Sequence, residues 1–250
     1  MATLQNGRSA SENSDRSSEG AMGLQGAWWK WGIFALMLYV IYGAFFIAKA
    51  QVGFSGGGQT ARIMFFHVPV ALLSYICYAV AAVYAVQYLK MDNTRRPDPH
   101  KDAKSAAAME LGFLFCILAT ITGSIFADVQ WGNFWNWDPR ETSIVIMLLL
   151  YASYLVMRGA VADRPTVRAR LSAVYTLVAL VPATFLIWVV PRILDSNHPT
   201  NVIASKSGMS NIDRLVFYPS CLAFILLFVW LFQLRYRLYL VAESGTESRE

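Results

Sequence analysis

Residues 215–234 read Leu215-Val-Phe-Tyr-Pro-Ser-Cys-Leu-Ala-Phe-Ile-Leu-Leu-Phe-Val-Trp-Leu-Phe-Gln-Leu234, twenty positions without one charged side chain. A helix of that length is apolar on every face and just crosses the roughly 30 Å of a bilayer's hydrocarbon. Five more uncharged stretches precede it: Trp31–Ala48, Val68–Leu89, Leu111–Ala127, Thr142–Met157 and Leu171–Pro191. All six run between 16 and 22 residues, the fourth being shortest. That one needs neighbours to shield it, or flanks that dip into the interface; if it fails to span, the number of crossings is odd. The composition agrees with a membrane protein. Charged residues make up 15% of the chain, against about 25% in a typical soluble one. So much apolar surface cannot be hidden inside a compact body of 250 residues. A disordered, collagen-like or disulfide-stapled chain is excluded on the same grounds.

The expected fold is therefore an all-α integral membrane protein of six transmembrane helices. Residues 1–26 are polar and aperiodic and read as a disordered cytoplasmic tail, too long before the first apolar stretch for a secretory signal. Residues 27–240 form the membrane domain, with an external loop over 128–142, and 241–250 a short cytoplasmic tail. Basic residues set the orientation. Fifteen lie in the N-terminal tail, the second and fourth loops and the C-terminus, and six (Lys49, Arg62, Arg140, Arg192, Lys206, Arg214) in the other loops. By the positive-inside rule both termini are cytoplasmic, and loops one, three and five face outward from the cytoplasmic (inner) membrane. The net charge of +5 thus speaks of sidedness and not of nucleic acid.

The outward side collects the unusual residues. The third loop reads Trp131-Gly-Asn-Phe-Trp135-Asn-Trp137-Asp138-Pro139-Arg140-Glu141-Thr142, with three of the eight tryptophans inside seven positions. An interfacial aromatic belt explains Trp28, Trp29 and Trp31. It explains this loop less well, because polar and turn-forming residues are interleaved with the rings. Such a mixture also describes a surface for a flat apolar ligand carrying polar groups. Of three histidines, His100 falls in the basic second loop as a solvated residue. His67 sits at the outer entrance of the second helix, where Pro69 suits a first helical turn, and His198 just beyond the fifth. A histidine at a helix end is ordinarily only a hydrogen-bonding residue. Two of them level with an aromatic loop point to axial ligation of a haem iron.

Several chemistries are missing. Cys77, Cys116 and Cys221 lie far apart within apolar stretches, with no C-x-x-C and no covalent haem motif. There is no P-loop and no H-E-x-x-H, and the apolar stretches contain no ionisable residue of the kind that marks an ion path. A small-solute permease whose loop is merely a belt is the reading from a different class.

The loop Trp131-Gly-Asn-Phe-Trp135-Asn-Trp137-Asp138 resembles the tryptophan-rich WWD signature of haem-handling proteins in cytochrome c biogenesis. Arg62-Ile-Met-Phe-Phe-His67-Val-Pro69 resembles the segment carrying the first external histidine in the haem exporter protein C (CcmC) branch, as do the six spans and the length. The resemblance implies that the loop holds haem b, non-covalently and as cargo, at the outer face, with His67 and His198 as ligands of its iron. It implies delivery to a periplasmic haem chaperone, with ABC-transporter subunits and a small single-span membrane protein as partners, and no catalysis. Around His198 the family commonly has a paired tryptophan, where this chain has Ile193-Leu-Asp-Ser-Asn-His198. Trp-Asn-Trp-Asp-Pro-Arg-Glu-Thr is also similar to a stretch of CcsA-type cytochrome c synthetases, which implies direct attachment of haem as the alternative. In a haem site Trp131, Trp135 and Trp137 would stack on or edge the macrocycle. Arg62 and Arg140 are either propionate partners or snorkelling anchors. Asp138 accepts from the loop backbone, pairs with Arg140, or simply forms the turn before Pro139. The expected site is an open shelf.

Overall fold

Proline and buried charge, more than the limits of the apolar stretches, decide where the helices begin and end. The computed structural model describes residues 28–49, 56–92, 98–198 and 209–247; the tail expected over 1–26 lies outside them. Six helices follow one another. α1 is Trp28–Tyr42, continued by a wide π-type turn over Gly43–Ile47. A 3-10 turn over Gly56–Ile63 leads into α2, Met64–Asp92. α3 is Pro99–Trp131 and α4 is Pro139–Ala160. α5 is Pro165–Thr184, prolonged through Phe185–Val189 to Ile193, and α6 is Asn211–Glu247. Among the described residues no strand occurs. All six helices are long and apolar enough to cross a membrane. Three open on proline at their first turn, where its missing N–H would have no partner anyway.

Two corrections concern length. The fourth helix is 22 residues long, about 33 Å at 1.5 Å per residue, because Glu141 and Arg158 are inside it and not beyond it. Both are buried. Arg158, which the basic-residue count assigns to the fourth loop, ends α4 and grips Asp102 of α3 with two nitrogens, at 2.8 and 2.6 Å, and Ser172 of α5 at 3.0 Å. The helices thus carry ionisable residues that the apolar stretches lack, and this pair joins three helices at one end of the bundle. α6 likewise continues to Glu247, past the residue 241 at which the sequence suggests a tail.

Pro69 is the sixth residue of α2 and not in its first turn. It therefore removes the N–H that would bond to the Phe65 carbonyl, and Ser220 of α6 donates its hydroxyl to that carbonyl instead. Pro219 in α6 similarly frees the Leu215 carbonyl, which accepts the Tyr39 hydroxyl of α1 at 3.0 Å. Neighbouring side chains replace the backbone bonds, as hydrocarbon demands. α2 and α3 pack along much of their length, and Ala81 of α2 and Ala103, Ala106 and Ala107 of α3 are all buried. With Ser105 bonded to the Ala81 carbonyl at 3.0 Å, these small residues let the two backbones approach. Cys77 and Cys116 are buried free thiols, acting as small hydrophobes.

Replacing Arg158 by Met should destabilise the protein by about 3–5 kcal/mol, because Asp102 is left buried and unpaired. A second change, Asp102→Leu, should recover most of that loss. Thermal unfolding of the two variants in detergent measures both; a single variant as stable as the parent would show that the pair holds nothing.

Candidate functional site

The end of the bundle opposite Arg158 gathers the start of α2, the end of α3, the loop 132–138, the start of α4 and the segment after α5. α3 stops because Gly132 adopts φ +78°, a left-handed value that glycine accepts freely, and its N–H closes on the Asp128 carbonyl at 2.8 Å. α4 begins with a reciprocal cap. Asp138 accepts the Arg140 N–H at 2.9 Å, while Glu141 reaches back to the N–H groups of Asn136 and Asp138 at 2.9 and 3.3 Å. Between them Trp137 is held at φ +60°, which costs about 1–2 kcal/mol for a residue with a side chain. Glu141 grips the chain on both sides of it. The outcome is an indole that is 69% exposed and edge-on to Trp135 at 5.9 Å.

Asp138 does more than form a turn. Its side chain is 1% exposed, and four donors meet it: the Arg140 N–H, the Asn197 N–H at 2.7 Å, the Ser196 hydroxyl at 3.0 Å and His198 Nδ1 at 3.0 Å. Burial by itself would raise this carboxyl. The N–H groups of Arg140 and Asn197, the adjacent His198 and Ser196 outweigh it and hold the group below its ordinary range. An ionised carboxylate only accepts, so Nδ1 of His198 carries the proton and Nε2 keeps its lone pair. Burial pulls the His198 imidazole below its ordinary 6.5; Asp138 opposes this and Arg140 reinforces it. The ring packs edge-on to Trp131, centroids 5.0 Å apart.

His67 reaches a matching state by a different route. Its Nδ1 lies 2.9 Å from the Thr122 hydroxyl of α3. That hydroxyl also has the Leu118 carbonyl at 2.7 Å and the Ala119 carbonyl at 3.3 Å in reach; with its proton on either carbonyl, it accepts one from the histidine. Nε2 of His67 is then also the unprotonated nitrogen. Gly123 makes room for the ring, since a Cβ there would stand 3.0 Å from Cε1. The two imidazoles lie within electrostatic reach of one another, and the Ala119 carbonyl of α3 stands beside the His67 ring.

The remaining candidates sit at the same end. Arg62 lies in the 3-10 turn, two residues after Thr60, whose hydroxyl points to Gln130 near the end of α3 at 3.5 Å. Nε of Arg62 and Nε of Arg140 are buried without a hydrogen bond, and Arg140 meets the Asp138 carboxylate through its backbone. Not singled out by the sequence, Arg192 stacks over Trp188 at 5.4 Å and feels the charge of Arg140. Also missed were Ser196, Thr122 and Gly123. An Asp-x-x-Glu with proline after the Asp signals a capped helix start, but nothing local signals that the same Asp reaches His198. His100 stands at the opposite end, exposed, bonded to Tyr236 at 2.8 Å. Among the described residues no group of three or more His, Cys, Asp and Glu is placed to hold a metal ion.

The chain matches the family model described as CcmC, "Heme exporter protein C", over residues 16–249. It is 34% identical over 177 residues to the "Heme exporter protein C" of Bradyrhizobium diazoefficiens, covering 70% of this chain and 64%, just under two thirds, of that protein. The protein of the same description from Paracoccus denitrificans is 33% identical over 183 residues, 72% of this chain and 73% of its own length. A "Cytochrome c biogenesis protein CcsA" from Chlamydomonas reinhardtii is 28% identical over 114 residues, 41% of this chain and 32% of that one.

The His198 environment fixes a pH dependence. Below its lowered pKa the imidazole gains a proton at Nε2, so the ring should stay neutral through neutrality and charge only on the acid side of the ordinary 6.5. Removing the Asp138 charge with Asp138→Asn should move the midpoint further down. NMR titration of the labelled imidazole reads both; an upward shift in the variant would contradict the geometry.

Proposed function

This chain belongs to the haem exporter protein C family, and from that premise we propose that it carries haem in cytochrome c maturation. In this reading haem b binds non-covalently, as cargo, at the outer face of the cytoplasmic membrane. His67 and His198 coordinate its iron, and the protein delivers it to a periplasmic haem chaperone. The observation that carries the reading is the pair of imidazoles at one end of the bundle, each engaged by the fold through Nδ1. Two imidazoles are few for a bare metal ion, whereas a macrocycle supplies four nitrogens of its own and needs only axial donors.

The other residues fit the same cargo. Trp131, Trp135 and Trp137 offer apolar rings to its faces and edges. Arg62 and Arg140, together with Arg192, offer cations to the two propionates. Asp138 touches neither; it orients His198. The outward position of the loop rests on the excess of Lys and Arg at the other end. With the tryptophans on a shelf and Trp137 facing outward, the vinyl edge stays open for capture by the chaperone. ABC-transporter subunits and a small single-span protein complete the system, and this chain performs no catalysis. The similarity to the Chlamydomonas protein supports a second reading, in which haem is attached directly to apocytochrome.

Purified protein should carry haem at near-unit stoichiometry with the absorbance of a six-coordinate bis-histidine complex. His67→Ala should abolish that spectrum, and His198→Ala likewise; unchanged spectra in both would remove the ligand assignment. Co-expression with apocytochrome but without the chaperone should give no holocytochrome, whereas its formation would favour direct attachment.

A further inference from the structure

Deepening that reading, we infer that the two histidines are unequal ligands: His198 anchors the haem, and His67 is the one that lets go when the cargo moves on. The inequality lies behind the rings. Nδ1–H of His198 points at a carboxylate at 3.0 Å, and that carboxylate is fixed by three further donors on two different segments. A hydrogen bond to a charged acceptor is roughly twice as strong as one to a neutral group. It also leaves Nε2 a stronger donor, in the way a carboxylate behind a metal-bound histidine raises its basicity. Nδ1 of His67 meets only neutral groups, the Thr122 hydroxyl and the Ala119 carbonyl beside it. Nothing charged pushes electron density into that ring.

The two rings are also packed differently. The edge of Trp131 packs against His198, whereas His67 sits close against the α3 backbone at Gly123. Handover is then a ligand exchange. The bond between iron and Nε2 of His67 breaks with its electron pair staying on nitrogen, and an incoming nitrogen or oxygen donor of the acceptor protein takes the position. No electron or proton needs to move.

The test uses full-length protein in detergent loaded with ferric haem, with free imidazole as the probe. His67→Gly should keep its haem through purification as a high-spin species and return to low spin when imidazole is added. His198→Gly should lose most of its haem. Transfer of haem to excess apomyoglobin should quicken about 10–100-fold in Asp138→Asn, and only about fivefold in Thr122→Val, the equivalent of one neutral hydrogen bond. Asparagine still caps α4, so a lost helix start would not explain the difference. Equal losses in the two glycine variants, or a larger effect of Thr122→Val, would overturn the inequality. Wild-type protein that takes up no haem, or glycine variants with the parent spectrum, would instead overturn haem ligation itself.

Discussion

One buried carboxylate holds the functional end of the bundle together. Asp138 closes the first turn of α4, and the same oxygens take the Asn197 N–H, the Ser196 hydroxyl and the His198 ring. Taking a carboxylate out of water costs several kcal/mol. Here that cost is offset by four donors and by the positive end of the α4 dipole. The segment after α5 has no regular structure between Leu194 and His198, so its geometry depends on what it is tied to. Asp138 is that tie. Position and protonation of His198 therefore follow from one charge, and the charge is kept by the helix it caps.

His67 depends on the bundle in another way. It sits on a long helix packed against α3, and its ring lies where α3 has Thr122 and Gly123. Two residues further, Pro69 interrupts the backbone bonds of α2, and Ser220 of α6 answers the freed carbonyl. A broken bond in hydrocarbon must find a new partner, so the proline fastens α2 to α6 just beside the histidine. One imidazole is thus placed by a loop clamped through a charge, the other by helix packing. Loop clamps and packed helices yield to different perturbations, which is how the two proposed ligands can serve different purposes.

The six helices were legible because lipid imposes a demand that any twenty-residue window reveals: no charge on any face. The site was legible only as a list of residue types. Trp131, His67 and His198 stand out by chemistry, and the alternation of basic residues placed them at one end of the bundle. Their connections were not legible. Asp138 and His198 are sixty positions apart, and a turn-forming Asp before proline looks complete without a further partner. Glu141 and Arg158 bounded the fourth apolar stretch, and charge there reads as the end of a span. In the folded chain each has a buried acceptor or donor supplied by a neighbour. Arg192 passed as one more basic residue in a loop, because its proximity to Arg140 depends on how α4 and α5 meet.

The two ends of the bundle answer the same problem of buried charge with opposite results. At one end Arg158 is matched by Asp102, and Arg235 by Glu110, which also takes the Tyr239 hydroxyl at 2.5 Å. Cation and anion there close on each other. At the other end Asp138 and Glu141 are turned toward backbone N–H groups and an imidazole, so their charge stabilises a helix start and a ligand. Little of it is left to neutralise guanidinium groups. Arg62 and Arg140 keep Nε without a hydrogen bond, and Arg192 stands over an indole. A surface that engages its own anions elsewhere while holding cations beside aromatic rings is complementary to a flat apolar molecule with two carboxylates on one edge. The same capping that orders the loop thereby leaves this end electrostatically open to the proposed cargo.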